Sequence, residues 1–416
     1  MSNTVKKYLT LIVLGLAGGS IYVFPYMKYV FYDPMLNVMH INNQQSGLLL
    51  TMYAIGCIIL YIPGGIVADK ISHKRALIIS LFGATVLTVI YALSFNFELS
   101  LVIWLLLAFA TGFVFWAALI KAIRIIGTEK EQGRLYGVYY AANGVAASVV
   151  NFISLQVFSS FSDEKTGLFA AVMVMAAFTG LAGLLLIFLL DDSKKEGVAA
   201  DTEKKFVFSD VPKVLKNPAV WMVSLIFFFT YALYSCSTYF TPYLTDVVHI
   251  SVKSSGILSI IRTNVFMLVA PIGGFLADKI FKSTLKWFVC GSGLLAVAIG
   301  IIIAIGSNAS VVLISVLTLV PGFISMTLYG IMFSIMGECK IPIKYAGTAI
   351  GVASIIGYAP DLFLSTIFGG ILDTNGNAGY PVIFAVLAAF CLVSIGICIY
   401  LLKRSKKLQD QGVEVA

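Results

Sequence analysis

Arg262 is a charged residue in the middle of a long apolar stretch of the chain, about eight residues from its start. Ser255 and Ser259 precede it at i, i+4, i+7 spacing, so the three polar side chains share one face of a helix. A guanidinium can bind a carboxylate or a phosphate through two parallel hydrogen bonds. If the stretch crosses a membrane, Arg262 either faces a ligand in a water-filled space or belongs to a buried ion pair that holds helices together.

A carboxyl group lies at a similar depth in a later apolar stretch. Asp361 forms a polar row with Ser354, Tyr358 and Ser365 at i, i+4, i+7, i+11 spacing. We predict that Asp361 pairs with Arg262 when no ligand is bound, and that an anion then competes for Arg262 and frees the carboxyl to take a proton. The alternative is a permanent pair with a structural role only.

The first half of the chain contributes cations at other positions. Lys121 and Arg124 close one apolar stretch on a single face, and Lys28 follows Pro25 late in the first stretch. We predict Lys121 as a ligand for an anion, and Arg124 as a gate or an anchor for Asp69. Lys28 either binds the anion or extends its ammonium group to the membrane surface.

Aromatic hydroxyls and one amide complete the candidate site. Together with the cations, they predict a site for a small, hydroxylated, anionic molecule, although aromatic rows also serve packing. The residues predicted to contact this molecule, besides the cations, are Tyr26, Tyr140, Asn143, Tyr234 and Tyr358.

The composition indicates which elements position these residues. Of the 416 residues, 59% are hydrophobic and 12% are charged, and the mean hydropathy is +0.96, so apolar stretches predict membrane helices. A helix needs about 20 apolar residues to cross a bilayer. We predict twelve spans, numbered 1 to 12 in chain order: 8–31, 45–67, 76–95, 99–122, 135–159, 167–190, 219–244, 255–276, 287–306, 309–335, 345–372 and 379–402.

Basic residues fall on one side of these spans. Of the 28 Lys and Arg residues, 22 lie in one alternating set of loops or in the termini, and only Lys165 and Lys253 lie in the other set. The positive-inside rule makes the basic side cytoplasmic. We therefore predict a multi-pass protein of the plasma (inner) membrane with both termini in the cytoplasm. The net charge of +8 then reflects orientation in the lipid bilayer and predicts no nucleic-acid partner.

The two halves of the chain are related. Residues 38–71 match residues 247–280 without a gap, and twelve of the 34 pairs are identical. An offset of half the chain predicts two related bundles. Tyr53 is the counterpart of Arg262 in this repeat. A second repeat, between 133–138 and 347–352, makes Ala147 the counterpart of Asp361. The second half has therefore gained a cation and an anion at positions where the first half has neither.

The loop between spans 2 and 3 carries a motif. It resembles the loop signature of the major facilitator superfamily, G-x-x-x-D-[RK]-x-G-x-[RK]-[RK], with Ser72 replacing the second glycine. A shorter copy follows span 8. We predict a gating and loop-anchoring role for the motif residues Gly65, Asp69, Lys70, Arg75, Gly274 and Asp278.

The resemblance implies an all-α membrane protein with twelve transmembrane helices in two pseudo-symmetric six-helix bundles around a cavity that opens alternately to each side. It implies bundles at 1–190 and 219–416, joined by a cytoplasmic linker at 191–218, and a monomer. Lys28 and Lys121 are similar to basic residues of the branch that carries organophosphates and anionic sugars. Tyr234 stands where organophosphate exchangers of that branch have an arginine, so a sugar acid, a sulfonated sugar or a carboxylate is an equal candidate.

Three function classes follow. The first is a secondary transporter of a small organic anion, working as a proton symporter or an exchanger for a counter-anion. The second is a proton-coupled drug or metabolite exporter, and the third is a receptor or lipid flippase. The sequence has no HExxH, no GxSxG and no phosphate-binding glycine loop, so we predict no enzyme, no cofactor and no metal site.

Overall fold

The computed structural model describes residues 3–126, 132–190, 211–306, 309–339, 341 and 346–410, with the side chains of 3–4, 61–70, 132–133, 346–347 and 408–410 outside the description. The α-helices of these residues are α1 (Asn3–Ile21), α2 (Tyr32–Met39), α3 (Asn43–Lys70), α4 (His73–Ser94), α5 (Phe97–Ala108), α6 (Phe115–Ile126), α7 (Gln132–Phe158), α8 (Glu164–Leu189), α9 (Val211–Leu215), α10 (Pro218–Ser235), α11 (Phe240–Asp246), α12 (Val252–Thr263), α13 (Ala270–Phe275), α14 (Thr284–Ile305), α15 (Val311–Leu317), α16 (Leu319–Tyr329), α17 (Ile335–Glu338), α18 (Ala346–Gly357), α19 (Pro360–Asn375) and α20 (Gly379–Asp410).

These helices are those of a multi-pass membrane protein. Within the described ranges, nine helical stretches are long and apolar enough to cross a bilayer. One of them, Thr348–Lys407, covers both of the last two predicted spans. The all-α membrane class predicted from the sequence is confirmed, and the number of twelve spans stays a prediction.

The chain divides into two compact units. The first consists of Met1–Ala199 together with Ser251–Val265, and the second of Ala200–Ile250 together with Phe266–Ala416. Helix α12, which carries Arg262, therefore belongs to the first unit although it lies in the second half of the sequence. The domain boundaries at 190 and 219 stay a prediction, as does the linker, whose residues 191–210 lie outside the described part of the chain.

The packing inside each unit reflects the internal repeat. In the first unit α1 packs against α7, and α4 packs against α8. In the second unit α10 packs against α18, and α14 packs against α20. These are the same pairs of spans, 1 with 5 and 3 with 6, counted from the start of each half. The outer-loop histidines also match, because His40 and His249 both adopt left-handed backbone conformations, with φ of 54° and 59°.

Small residues allow helices within each unit to approach closely. A Cβ atom at Gly18 of α1 would lie 2.5 Å from Asn143 Nδ2 and 2.5 Å from the Tyr139 hydroxyl, both on α7. In the second unit, a Cβ atom at Gly273 of α13 would lie 2.0 Å from the carbonyl oxygen of Thr327 on α16. Such contacts are typical of membrane helices, which associate through close packing of small residues.

Several spans are broken within the membrane region. Span 8 changes from α12 to a 3₁₀ segment at Val265–Val269 and resumes as α13, and span 11 is interrupted at residues 358–359 between α18 and α19. The matching spans of the first half, α3 and α7, are continuous. Pro271 and Pro360 stand at the start of the resumed helices, where the missing backbone N–H of a proline costs nothing. In these two matched pairs of spans, the break therefore occurs only in the member from the second half.

Candidate functional site

Arg262 lies in the last turn of α12 and is only 1% exposed. Ser255 and Ser259 are also buried, so the polar face predicted from their spacing is covered by protein. The last turn of a helix carries a partial negative charge from its unpaired carbonyl groups, which stabilises a cation. The break that ends α12 at Thr263 thus gives the guanidinium a favourable helix end at a depth where a charge is otherwise costly.

Helix α12 is held in the first unit by polar and close apolar contacts. The hydroxyl of Ser259 donates a hydrogen bond to the carbonyl oxygen of Tyr29. Asn151 on α7 donates through Nδ2 to Oδ1 of Asn264, at 3.4 Å. A Cβ atom at Gly256 would lie 2.9 Å from Cδ2 of Leu155, so the two helices touch closely. These contacts fix the helix end on which Arg262 stands.

Predicted span 1 is also interrupted, because α1 ends at Ile21 and a 3₁₀ segment follows at Met27–Tyr29. A cluster of hydroxyl groups surrounds this break. The ring of Tyr26 lies 5.4 Å from that of Tyr29 and 5.6 Å from that of Tyr53. The Tyr53 hydroxyl is 2.7 Å from Thr111 Oγ1, and Tyr22 donates to the carbonyl oxygen of Thr111 at 3.2 Å. Thr111 belongs to a π-helical turn, Phe109–Phe113, and such turns are frequent at functional sites.

Lys28 points to a different neighbourhood from the tyrosine cluster around Tyr26. Its side chain is 2% exposed, and its Nζ atom lies 5.5 Å from the centre of the Tyr32 ring. It lines a narrow crevice with Ser46 and Trp104, whose indole donates to the carbonyl oxygen of Pro25 at 3.1 Å. The side chain is therefore buried in protein and does not extend to the membrane surface, which was one of the two readings of the sequence.

The remaining predicted residues of the first unit lie on α6 and α7. Lys121 and Arg124 are half-buried on α6. Tyr140 is 48% exposed and packs edge-on against Tyr139, at 5.0 Å between ring centres. Asn143 donates to the Tyr139 hydroxyl at 3.1 Å and lies against α1. Tyr139 thus joins the two predicted residues of α7.

Asp361 lies in the first turn of α19, in the second unit, and is 7% exposed. The Tyr231 hydroxyl on α10 donates a hydrogen bond of 2.5 Å to its Oδ2 atom. The first turn of a helix carries a partial positive charge, which favours a carboxylate. The break in span 11 therefore places Asp361 at a helix end of opposite partial charge, as the break in span 8 does for Arg262. Because the two residues belong to different units, their interaction stays a prediction.

Four tyrosines form one aromatic group, and Tyr231 of this group bonds to Asp361. The rings of Tyr234 and Tyr329 stack face to face, at 4.7 Å and an angle of 6°. Tyr358 meets the ring of Tyr231 edge-on, at 4.7 Å and 85°. The structure thus joins the two predicted residues Tyr234 and Tyr358 into one group. It also shows that the polar row of span 11 does not lie on one continuous helix, because Tyr358 stands in the break.

The loop motif is described only in part. The side chains of Gly65, Asp69 and Lys70 lie outside the described residues, so their predicted role stays a prediction. Arg75 and Asp278 are exposed. Ser72 is the N-cap residue of α4, and its hydroxyl accepts a hydrogen bond from the backbone N–H of Arg75 at 3.5 Å. In the second copy the close helix contact falls on Gly273. A Cβ atom at Gly274 would have its nearest neighbour at 3.9 Å.

Residues of these groups that sequence reasoning did not name as site candidates include Thr111, Tyr231 and Tyr329. Tyr231 had a detectable signal, because it precedes Tyr234 by three residues and so shares its helix face. Thr111 and Tyr329 had none, since each acquires its neighbours through packing between helices distant in sequence.

Comparison with known proteins identifies the family. The model of the Major Facilitator Superfamily matches residues 9–363. The chain belongs to this superfamily. The superfamily resemblance predicted from the loop motif is thereby confirmed, and a superfamily member of this kind is a transporter and not an enzyme.

Relatives and a solved structure agree with the superfamily assignment. The chain is 30% identical to the inner membrane protein YihN of Escherichia coli over 96% of both chains. It is 23% identical to a hexuronate transporter of Bacillus subtilis over 59% of this chain and 58% of that one. The crystal structure of a bacterial homologue of the human lysosomal transporter Spinster matches with a TM-score of 0.75, covering 97% of this chain and 98% of that chain. At 15% identity, this last likeness shows the fold alone.

Proposed function

We propose that this protein is a secondary active transporter that moves a small organic anion by alternating access. The observation that carries the proposal is the burial of Arg262, 1% exposed, on a face shared with Ser255 and Ser259. A buried guanidinium is costly and is kept where it has an anionic or hydrogen-bonding partner to bind. Lys121 lies in the same unit, half-buried on α6.

The chemistry of the substrate follows from these groups. Arg262 binds a carboxylate, sulfonate or phosphate through its two parallel N–H groups, and Lys121 adds a second charge-assisted hydrogen bond. Tyrosine hydroxyls and Asn143 supply contacts to substrate hydroxyl groups. The relative named as a hexuronate transporter supports a carboxylate-bearing substrate.

Asp361 is the proposed coupling residue. In the sequence it is a carboxyl group in the middle of a predicted span, away from the span's ends. In the structure it lies at the start of α19, next to Tyr231. A carboxyl that takes and releases a proton during the transport cycle makes the protein a proton symporter. If it stays ionised throughout, the protein exchanges the substrate for a counter-anion.

The proposed orientation has both termini in the cytoplasm of the inner membrane. The basic residues of the loops on one side support it through the positive-inside rule. YihN, named an inner membrane protein, supports the membrane. We propose that the protein works as a monomer, with each chain carrying its own cations and its own coupling carboxyl.

A thermal-stability screen of the purified protein tests the substrate class. A ligand that binds the folded state raises the free energy of unfolding, by about 2.7 kcal/mol at 100 times its Kd. The unfolding temperature rises as a result. The panel contains D-glucuronate, a sugar phosphate, a sugar sulfonate and inorganic phosphate, with D-glucose and the cationic dye ethidium as controls. We expect at least one anion to stabilise the wild type and not Arg262→Ala. Stabilisation by ethidium alone would favour the drug exporter.

A further inference from the structure

Tyr231 lies next to Asp361 in the second unit. Its hydroxyl donates a 2.5 Å hydrogen bond to Oδ2 of the carboxyl, and its side chain is 6% exposed. A hydrogen bond to an ionised acceptor of this length belongs to the charge-assisted class, which is about twice as strong as a bond between neutral groups. The bond joins α10 of span 7 to the first turn of α19 in span 11.

The ring of Tyr231 is held from several sides by aromatic neighbours. Tyr358 lies edge-on at 4.7 Å, Tyr329 at 6.0 Å and Tyr234 at 6.1 Å between ring centres. Tyr358 itself stands in the break of span 11, three residues before Asp361. Ring contacts of this kind fix the direction of the hydroxyl, because a tyrosine has only two side-chain torsions.

We propose that Tyr231 is the positioning residue of Asp361: its hydroxyl orients the carboxylate at the break in span 11 and sets the pH at which that carboxylate takes up a proton. The proposal rests on the proposed coupling role of Asp361. No covalent step is involved, since the proton comes from water and returns to it.

The physical reason lies in the direction of the hydrogen bond. A tyrosine hydroxyl that donates to a carboxylate stabilises the ionised form, so its loss makes protonation easier. Once Asp361 is protonated, its carbonyl oxygen can still accept from Tyr231, while its new O–H group must donate elsewhere. Among the described residues, the titratable groups gathered around the Tyr231–Asp361 bond include Tyr234 from α10, Tyr329 from α16 and Tyr358 before α19. On α20, which also packs against α19, Tyr380 donates to Asp246 instead.

The chain offers a matched control for this bond. Tyr239 also belongs to span 7, is 0% exposed, and donates to span 11 through the carbonyl oxygen of Ser365, at 2.8 Å. Tyr239→Phe therefore removes an equally buried hydroxyl between the same two spans, but from a neutral acceptor. Tyr231→Phe removes the hydroxyl next to the carboxylate and keeps the ring in its aromatic setting.

The test is an infrared titration of the full-length protein in lipid bilayers, without any substrate. The C=O stretch that grows in at low pH and is missing in Asp361→Asn belongs to protonated Asp361. In Tyr231→Phe we expect this band at a higher frequency, because a hydrogen bond to the carbonyl oxygen is lost. We also expect its midpoint to move to higher pH by about one unit or more, the effect of losing one bond to a charged group. Tyr239→Phe should match the wild type.

Three outcomes would overturn the inference. An unchanged band and midpoint in Tyr231→Phe would show that the hydroxyl does not position the carboxyl. An equal change in Tyr239→Phe would assign the effect to packing of spans 7 and 11. A wild-type spectrum with no titrating band that depends on Asp361 would remove Asp361 from proton coupling altogether. None of these outcomes bears on anion transport itself, which the thermal-stability screen tests separately.

Discussion

Tyr53 and Arg262 occupy matching positions of the internal repeat, but Tyr53 lies within a helix and Arg262 lies at a helix end. Tyr53 lies inside the continuous helix α3, with its hydroxyl 2.7 Å from Thr111 Oγ1. Arg262 lies one residue before the end of α12, where span 8 breaks. Asp361 and its counterpart Ala147 differ in the same way, because α19 begins next to Asp361 whereas α7 runs on past Ala147. In both of these repeat pairs, the member from the second half has a charge and a helix break together.

The pairing of a charge with a helix end has an electrostatic basis. A helix break exposes backbone groups that carry partial charges, and such ends form ion and substrate sites in broken membrane helices. The cation stands at a carboxyl end and the anion at an amino end, which is the stabilising sense in both cases. The asymmetry between the halves therefore marks Arg262 and Asp361 as the residues to change first.

Arg262→Ala should abolish transport while leaving the amount of protein in the membrane near normal. Arg262→Lys should restore little, because lysine lacks the planar fork that binds a carboxylate through two hydrogen bonds. Uptake into cells and immunodetection in membranes measure the two quantities. Lys253→Ala is the matched control, since Lys253 is an exposed cation on the same helix. Full transport by the alanine variant at position 262 would exclude a ligand role.

Lys121→Gln should weaken the apparent affinity for the anion. The loss of one charge-assisted hydrogen bond corresponds to about 1–3 kcal/mol, or about 5- to 150-fold in the half-saturation concentration. Arg124→Gln is the control on the next turn of α6, where we predict a gate or loop anchor. If Lys121→Gln changes only the turnover rate, Lys121 belongs to the gate as well.

Asp361→Asn should separate exchange from accumulation. The neutral amide cannot take up and release a proton, so exchange of substrate for substrate continues while proton-driven uptake against a gradient is lost. Vesicles with an imposed pH difference measure accumulation, and vesicles preloaded with substrate measure exchange. A variant that still concentrates substrate would show that coupling lies elsewhere or that the protein is an anion exchanger.

Gly273→Ala should destabilise the second unit, and Gly274→Ala should not. The added methyl group would meet the Thr327 carbonyl oxygen at 2.0 Å in the first case and only a distant Ile331 methyl group, at 3.9 Å, in the second. Overpacking of this kind typically costs about 1–3 kcal/mol. Thermal unfolding of the purified variants measures the difference. Equal unfolding temperatures would mean that α13 and α16 do not pack as described.

The sequence predicts the membrane class, the repeat and the superfamily because these depend on composition and on residues spaced along the chain. It fails where a helix is interrupted. The predicted polar row in span 11 assumes one continuous helix through Ser354, Tyr358, Asp361 and Ser365. In the structure α18 ends at Gly357 and α19 begins at Pro360, so the row is divided between two helices. A proline disfavours helical backbone at the residue before it, so this break could have been read from the sequence.

Other features depend on packing that periodicity does not encode. The contact between Tyr231 and Asp361 joins residues 130 positions apart, and the position of α12 in the first unit follows from its contacts with α7. Neither leaves a pattern in a single sequence. Lys28 illustrates the same limit. Neither of its two predicted roles included Tyr32, four residues later in the chain, whose ring lies 5.5 Å from the ammonium group.

Uptake into liposomes that contain the purified protein tests the central claim most directly. The panel is the set of anions from the stability screen, measured beside ethidium and beside protein-free liposomes. We predict uptake of at least one carboxylate, sulfonate or phosphate ester, with none in liposomes that carry Arg262→Ala. Uptake of ethidium by wild-type protein without uptake of any anion would contradict the account.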